Sequence, residues 1–328
     1  MKTIEKLSSS PWMAWLVLLL IALIVPMAMG GYLITIITIV CIYAIVCIGL
    51  NLLFGYTGLL SVGHSAFLGI GAYAFGLIAI KFGLGFWPSF CSSIIISGIA
   101  GFLIGIPALR LRGHYFVLVT LAFAVIINIV IMAWIELTGG AGGLAGAPRP
   151  DPIPLPWGDV IRFHSPLSMY YFILFFLVII FAVSYRLINS LVGKTFIAIR
   201  DDENLTQSLG INTMSNKLVS FTISAIIAGI AGALFASYNT VISPDSAGFM
   251  KGMEVVAYII IGGAGTLAGP LVGPLVMIAI PEMLQIVPEI RGLLFGIILV
   301  LFIIFLPRGV AGEVSLLISR IKSQSKHT

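Results

Sequence analysis

"YLITIITIVCIYAIVCIGLNLLF", residues 32–54, is an apolar run, and "GYTGLLSVGHSAFLGIGAY", residues 55–73, follows it directly. The first run has no charged residue and has the length, about 20 residues, that crosses a hydrocarbon core of roughly 30 Å as a helix. The second stretch also has no charged residue, but it is rich in glycine and serine and contains one histidine. Together they predict a membrane span that ends at a break in the helix.

The composition of the whole chain is typical of a membrane protein. Apolar residues make up 60% of the 328 positions and charged residues only 9%, whereas a soluble domain carries roughly 25% charged residues. We predict an all-α, polytopic membrane protein whose single transmembrane domain covers residues 1–328. About ten transmembrane or re-entrant helices are expected, near 12–29, 32–54, 60–81, 88–108, 115–137, 166–186, 217–238, 250–262, 266–284 and 289–307.

Two of these runs are unusual. The run near 250–262 is short for a full crossing, and we predict a broken or re-entrant helix there. The first run ends in Ala28-Met29-Gly30, which resembles a signal-peptide cleavage site. Because the chain continues at once into further apolar sequence, we expect the first span to be retained.

The distribution of charge predicts the orientation. The net charge is +5, but the basic residues are scattered and form no patch, so no nucleic-acid partner is expected. Membrane lipid is expected around the spans, and both termini are predicted to be cytoplasmic. With that orientation, twelve of the 17 Lys and Arg residues lie on the cytoplasmic side, as the positive-inside rule requires: Lys2, Lys6, Arg110, Arg112, Arg186, Lys194, Arg200, Lys217, Arg308, Arg320, Lys322 and Lys326.

We found no sequence pattern for catalysis, metal binding or ion coupling. Cys41, Cys47 and Cys91 lie in apolar runs without metal-ligand spacing, so we predict that they pack in the interior without a disulfide. No nucleophile–base arrangement is visible, so neither an enzyme nor a cofactor site is expected. No buried ion pair or string of acidic residues is expected within a span, which disfavours an ion-coupled secondary transporter. The acidic residues near spans are predicted at their ends: Glu136, Glu254, Glu282 and Glu289.

Residues 187–216 form the most charged internal segment, and we predict a cytoplasmic helical hairpin there, with a solvated loop as the alternative. Gly193-Lys194-Thr195 resembles the end of a phosphate-binding loop, but that motif requires glycine at position 188, which is isoleucine. We therefore expect no ATP hydrolysis by this chain. A short amphipathic helix is predicted from Lys194 to Arg200.

A second short helix is predicted to follow in the same hairpin. Asp201 or Asp202 would cap its N-terminus, where acidic side chains such as Glu203 are favourable. Gly210 would end it in the left-handed conformation. On the other side of the membrane, residues 138–165 carry five alternating prolines, 148 to 156, and predict an extended course. That loop is either a simple connector or a partner-facing flap.

Four motifs together resemble the LivM-type permease of bacterial branched-chain amino-acid ABC importers, over residues 32 to about 310. The motifs are "GLNLLFGYTGLLSVGHSAFLGIGAY", "IPALRLRGHYFVLVTLAFA", "GKTFIAIRDDENLTQSLGIN" and "GGAGTLAGPLVG". The resemblance implies a bacterial inner-membrane subunit that works with a LivH-type permease, two cytoplasmic ATPase subunits that bind ATP, and a periplasmic binding protein. It also implies that residues 193–212 couple the permease to the ATPase, and the candidate residues are Lys194, Ala198, Arg200, Asp201, Asp202, Glu203 and Gly210.

A second group of candidates belongs to helix breaks or to the substrate pathway. Glycines let the backbone turn where a regular helix would continue, and such breaks are tolerated at membrane depth only inside protein or along a cavity. For the small and polar members, tight helix packing and interhelical hydrogen bonds are the alternative to pathway lining. The candidates are Asn51, Gly55, Gly58, Ser61, His64, Ser65, Asn128, Gly262 and Gly265.

The function predicted from this resemblance is ATP-driven import of leucine, isoleucine or valine by alternating access. A urea or short-amide ABC permease would share these motifs and remains an alternative. An ion-coupled secondary transporter is a further alternative from a different class, and it would need ionisable groups within the membrane.

Overall fold

The computed structural model describes residues 11–111, 113–154, 160–161, 163–283, 296–297, 299–302, 304–306 and 308–313. The α-helices in this part of the chain are α1 Pro11–Ile24, α2 Gly31–Asn51, α3 His64–Lys81, α4 Phe86–Ala108, α5 His114–Ala133, α6 Ile135–Thr138, α7 Pro166–Asn189, α8 Leu191–Asp201, α9 Glu203–Ser208, α10 Thr213–Asn239, α11 Phe249–Gly262, α12 Gly269–Pro274 and α13 Ile280–Met283. Two-residue strands are β1 Leu144–Ala145, β2 Ile153–Pro154, β3 Val160–Ile161 and β4 Val241–Ile242.

The predicted all-α membrane architecture is confirmed. Six helices of the described chain are long and apolar enough to cross a membrane, and they match the second to the seventh predicted spans. They are α2 together with the π-helical turn Leu52–Tyr56, α3, α4, α5, α7 and α10. The third span begins at His64 rather than near residue 60, because residues 57–63 are not helical.

The centre of the molecule is formed by α2, α3 and α10. Their side chains are the most completely buried of the long helices, whereas α4 and α5 keep much of their surface exposed. Helices α3 and α10 approach closely because both carry glycine where they cross. A Cβ on Gly71 would lie within 3.0 Å of Gly229, and one on Gly232 would lie within 3.0 Å of the Leu68 carbonyl. Small residues therefore set the distance between these two helices.

Helix α1 is held to the rest of the protein through α7. The hydroxyl groups of Tyr170 and Tyr171 donate to the carbonyl oxygens of Ala22 and Leu23, each at 2.8 Å. These carbonyls lie in the last turn of α1, where no intrahelical donor is available. The contact places the first apolar run beside a long span.

The predicted break in the eighth span is confirmed, and the structure shows how the chain compensates for it. Helix α11 has only 14 residues. The chain before it runs along α3: Ile242 lies against Gly76, and Ala247 lies against Gly69. Gly252, in the first turn of α11, then lies against Val62. A segment made of β4 and the 3-10 helix Pro244–Ala247 thus covers α3 from Gly76 to Gly69, and α11 begins near the start of α3.

The last two predicted spans are described only in part. The ninth begins at Gly269 and is made of α12, the π-helical turn Leu275–Ala279 and α13. The tenth, near 289–307, falls largely outside the described residues.

In the loop between α6 and α7, residues 143–154 contain no helix and include four of the five prolines. β1 pairs antiparallel with β4, and β2 pairs with β3. The hydroxyl of Ser237, near the end of α10, donates to the carbonyl of Pro148 at 3.0 Å. Arg149 donates to the carbonyl of His164 at 2.8 Å. The first bond holds the loop against the end of α10, and the second joins the two ends of the loop's proline-rich part.

Candidate functional site

The predicted hairpin is present, and its ends are set by side-chain caps. Ser190 caps α8 by accepting from the Gly193 amide, and Asp202 caps α9 by accepting from the Leu205 amide at 3.0 Å. Of the two candidate caps, Asp202 is therefore the one used. Gly210 has φ +84°, the left-handed conformation predicted for it. Because α7 runs on to Asn189 and α10 begins at Thr213, the hairpin is shorter than predicted, 190–212.

Glu203 faces its own chain. Its carboxylate lies 2.5 Å from the ammonium of Lys217, a nearly buried side chain at the start of α10. Thr213 also donates to it, at 3.4 Å. The exposed face of the hairpin is formed instead by Lys194, Asp201 and Asp202 and by three leucines that sequence analysis did not single out, Leu191, Leu205 and Leu209.

The helix break predicted at the end of α2 is a π-helical turn, Leu52–Tyr56, followed by Gly58 at φ +79°. Its freed carbonyls find other donors. The Thr57 hydroxyl bonds to the Leu52 carbonyl at 3.0 Å and lies 2.8 Å from the Ser220 hydroxyl of α10. The broken backbone is thus satisfied inside the protein, as a break at this position requires.

Arg200 connects the hairpin to this break. Its Nη1 donates to the Gly55 carbonyl at 2.8 Å, and its Nη2 lies 3.0 Å from the Asp201 carboxylate. Gly58 lies against the aliphatic part of the same side chain. The last residues of α8 and the end of α2 are therefore joined by a charge-assisted hydrogen bond.

Asn51 joins the same region to the turn between α11 and α12. Its side-chain nitrogen donates to the Thr266 carbonyl, and its oxygen accepts from the Gly265 amide, both at 2.8 Å. A Cβ on Gly55 would lie within 3.0 Å of Asn51 and of Gly265. We call Asn51, Gly55, Arg200, Gly265 and Thr266 the junction. The junction joins Arg200, a candidate for ATPase coupling, to Asn51, Gly55 and Gly265, which were candidates for a helix break or the substrate pathway.

Comparison with known families identifies the kind of membrane protein to which this junction belongs. Residues 32–303 match the family model described as "Branched-chain amino acid transport system / permease component". The chain belongs to this family. It is a multi-pass membrane protein and the permease component of an ABC transport system, and it works with other subunits.

Named relatives are similar over most of the permease. It is 34% identical to "High-affinity branched-chain amino acid transport system permease protein LivM" of Escherichia coli over 89% of this chain and 73% of the relative. The same figures hold for LivM of Salmonella typhimurium. It is 26% identical to LivH of Escherichia coli, over 83% of this chain and 91% of the relative. No solved structure matches.

The remaining break candidates lie away from the junction. His64 bonds through Nε2 to the Ser224 hydroxyl, and among the described residues its Nδ1 has no hydrogen-bond partner. The hydroxyls of Ser61 and Ser65 are likewise buried without a partner in that part of the permease. Asn128 donates to the Pro244 carbonyl at 2.8 Å and so holds the 3-10 helix Pro244–Ala247 that precedes α11.

The tight turn after α11 depends on glycine. Gly263 and Gly265 have φ +108° and +77°. A Cβ on Gly262 would lie within 3.0 Å of the Gly269 carbonyl, so α11 and α12 pack closely on either side of the turn. This turn is the segment that Asn51 holds.

One sequence expectation is wrong: Cys91 in α4 is exposed, although interior packing was predicted for it, whereas Cys41 and Cys47 are buried. Lys251 and Glu254 form an ion pair at 2.7 Å within α11, and their side chains are partly exposed. The sequence placed both at the outer end of a short span. In the structure, Gly252 between them lies against Val62 and Ser65, near the start of α3. Among the described residues there is no group of His, Cys, Asp and Glu that could hold a metal ion.

Proposed function

We propose that this permease is the membrane-spanning subunit of an ABC importer that carries branched-chain amino acids into the cell. The names of its relatives support leucine, isoleucine and valine as the substrates. ATP would be bound and hydrolysed by separate subunits, and this chain would bind no cofactor and have no ATPase activity of its own. The permease domain would extend over residues 1–328.

The observation that carries the proposal is the bond between Arg200 and Gly55. The hairpin is short, capped at both helix starts and braced by Glu203 and Lys217, so it can move as a unit. Arg200 ties this unit to the broken end of α2, and Asn51 ties that end to the α11–α12 turn. A displacement of the hairpin would therefore reach two breaks in the membrane helices at once.

The partners follow from the same arrangement. The exposed leucines of the hairpin, beside Asp201 and Asp202, offer an ATPase subunit a mixed apolar and charged surface. The full importer would contain a second, LivH-type permease, two ATPase subunits and a periplasmic binding protein. We place it in the bacterial inner membrane, with the hairpin and both termini in the cytoplasm, because basic residues favour that side.

Reconstitution tests this function directly. The purified complex, in proteoliposomes with ATP inside and binding protein outside, should accumulate labelled leucine. The permease alone should neither hydrolyse ATP nor accumulate leucine on a proton or sodium gradient. If the complex instead takes up urea or short amides with ATP and takes up no leucine, these compounds are the substrates. Gradient-driven uptake by the chain alone would overturn the proposal.

A further inference from the structure

The ion pair in α11 is surrounded by aromatic side chains. Lys251 and Glu254 lie 2.7 Å apart, and the Tyr258 hydroxyl donates to the same Glu254 oxygen at 3.3 Å. The Lys251 ammonium lies 5.8 Å from the centre of the Tyr43 ring. The rings of Tyr43 and Tyr258 contact each other edge to face, with centres 5.8 Å apart. These four side chains form what we call the paired-charge cluster.

The cluster lies deep in the transmembrane part of the protein. Tyr43 belongs to the middle of the 26-residue span Gly31–Tyr56, and the Lys251 ammonium lies over its ring. Yet the side chains of Lys251 and Glu254 are 37% and 30% exposed in the single chain. Charged groups at this depth are costly against lipid, so their open side faces water or protein.

From this arrangement we infer that the paired-charge cluster is a contact site for a zwitterionic α-amino acid on the translocation pathway. This inference rests on the proposed function. The α-ammonium group would bind the Glu254 carboxylate, and the α-carboxylate would bind the Lys251 ammonium. One intrachain pair is thereby exchanged for two pairs with the ligand, and the site is left with no net charge. A zwitterion is therefore matched better than an anion or a cation.

The surroundings of the pair suit an apolar amino-acid side chain. Met250 and Met253, on the same helix, are 73% and 46% exposed. Methionine is flexible and polarisable, and it adapts to ligands of different shape. These two side chains offer an apolar surface beside the charged groups, whereas Tyr43 and Tyr258 are buried and support the pair from inside the protein. The alternative is that Lys251 and Glu254 contact the second permease. The experiments must distinguish this subunit contact from a ligand contact.

The first test asks whether water and ligand reach the cluster. In the assembled importer, with Cys91→Ser as background, Met253→Cys should react with a water-soluble, positively charged methanethiosulfonate. Ile99→Cys in α4 is a matched control, since Ile99 is 54% exposed in the single chain and should stay unlabelled if it faces lipid. Leucine should slow the labelling of Met253→Cys, whereas 4-methylpentanoate and 3-methylbutylamine, which each lack one charge, should not.

The second test removes the charges. Lys251→Gln and Glu254→Gln should still copurify with the partner subunits, and each should lower ATP-driven leucine uptake at least about tenfold. The reversed pair, Lys251→Glu with Glu254→Lys, should recover part of that uptake. Adding Glu254→Gln to Met253→Cys should abolish the protection by leucine.

The possible results distinguish an error in the proposed transport function from an error in the proposed contact site. If the unaltered importer does not take up leucine, the proposed function fails. If the importer takes up leucine but Met253→Cys is not labelled, or leucine does not slow its labelling, the paired-charge cluster is not a contact site. The same conclusion follows if both single charge variants transport normally. If the single variants lose the second permease on purification, the pair is an assembly contact and the inference is overturned.

Discussion

Arg200 and Gly55 lie 145 positions apart in the sequence, and the Arg200 guanidinium donates to the Gly55 carbonyl at 2.8 Å. The carbonyl is free to accept because α2 ends in a π-helical turn. The other arm of the guanidinium pairs with Asp201, so the planar side chain is held at two points. This is the most direct link in the described chain between the hairpin and a helix break.

Replacing Arg200 should uncouple ATP hydrolysis from transport. A lysine cannot reach the Gly55 carbonyl and the Asp201 carboxylate with one planar fork, so Arg200→Lys should behave more like Arg200→Ala than like the unaltered protein. We expect a loss of about 1.5–3 kcal/mol of interaction. The measurement is leucine accumulated per ATP hydrolysed. Ser208→Ala in the same hairpin should change little, and an unchanged ratio in Arg200→Ala would contradict the role of the junction.

Reversing the charge of Glu203 should destabilise the hairpin rather than remove a partner contact. Glu203→Lys places two ammonium groups together at the base of α10, where Lys217 is nearly buried. A loss of roughly 1–3 kcal/mol is expected, measured as a lower thermal unfolding midpoint of the purified complex. The double variant Glu203→Lys, Lys217→Glu should recover most of it. If the single variant unfolds at the normal temperature but does not transport, and the double variant does not restore transport, Glu203 contacts the ATPase.

Gly210 should tolerate asparagine but not valine. Its φ of +84° is strained for β-branched residues, and no atom lies within 4 Å of the position of a Cβ. The cost is therefore in the backbone alone, on the order of 1–2 kcal/mol for valine and less for asparagine. The thermal unfolding midpoints of Gly210→Val, Gly210→Ala and Gly210→Asn measure the order of stability, with valine lowest and asparagine highest. Equal midpoints for valine and asparagine would mean that the turn relaxes to another conformation.

A single methyl group at Gly55 should disturb the junction. Its Cβ would meet both Asn51 and the Gly265 backbone, so Gly55→Ala should cost roughly 1–3 kcal/mol and reduce leucine uptake. Gly31→Ala is the matched control at the other end of the same span, because its Cβ has open space. Equal uptake by the two variants would show that the α11–α12 turn can move away without consequence.

Thiol labelling should settle the orientation of the spans. In a Cys91→Ser background, Asn204→Cys in the hairpin and Asp151→Cys in the proline-rich loop are both at exposed positions. A membrane-impermeant reagent added to intact cells should label position 151 and leave position 204 unlabelled. The reverse pattern would place the hairpin outside the cell and remove the basis for ATPase coupling.

The sequence by itself determined the features that depend on neighbouring residues. About ten spans were predicted, because an apolar run of about twenty residues crosses a membrane as a helix. Six of them are long helices in the described chain. The hairpin was predicted from Asp202 and Gly210, because caps and left-handed glycines act within one helical turn. The lack of a helix in residues 143–154 was predicted because proline is excluded from helix interiors.

Only the tertiary structure decided which distant residues meet. The pairing of Glu203 with Lys217, and of Asn51 with the turn at Gly265, depends on how helices pack, and nothing local in the sequence encodes it. The position of Lys251 beside Tyr43, in the middle of the second span, could not be predicted, because the length of an apolar run does not show which helix lies beside it. Residues 241–248, which include β4 and a 3-10 helix, lie against glycines of α3 before α11 begins, and they place the charged start of α11 beside that span.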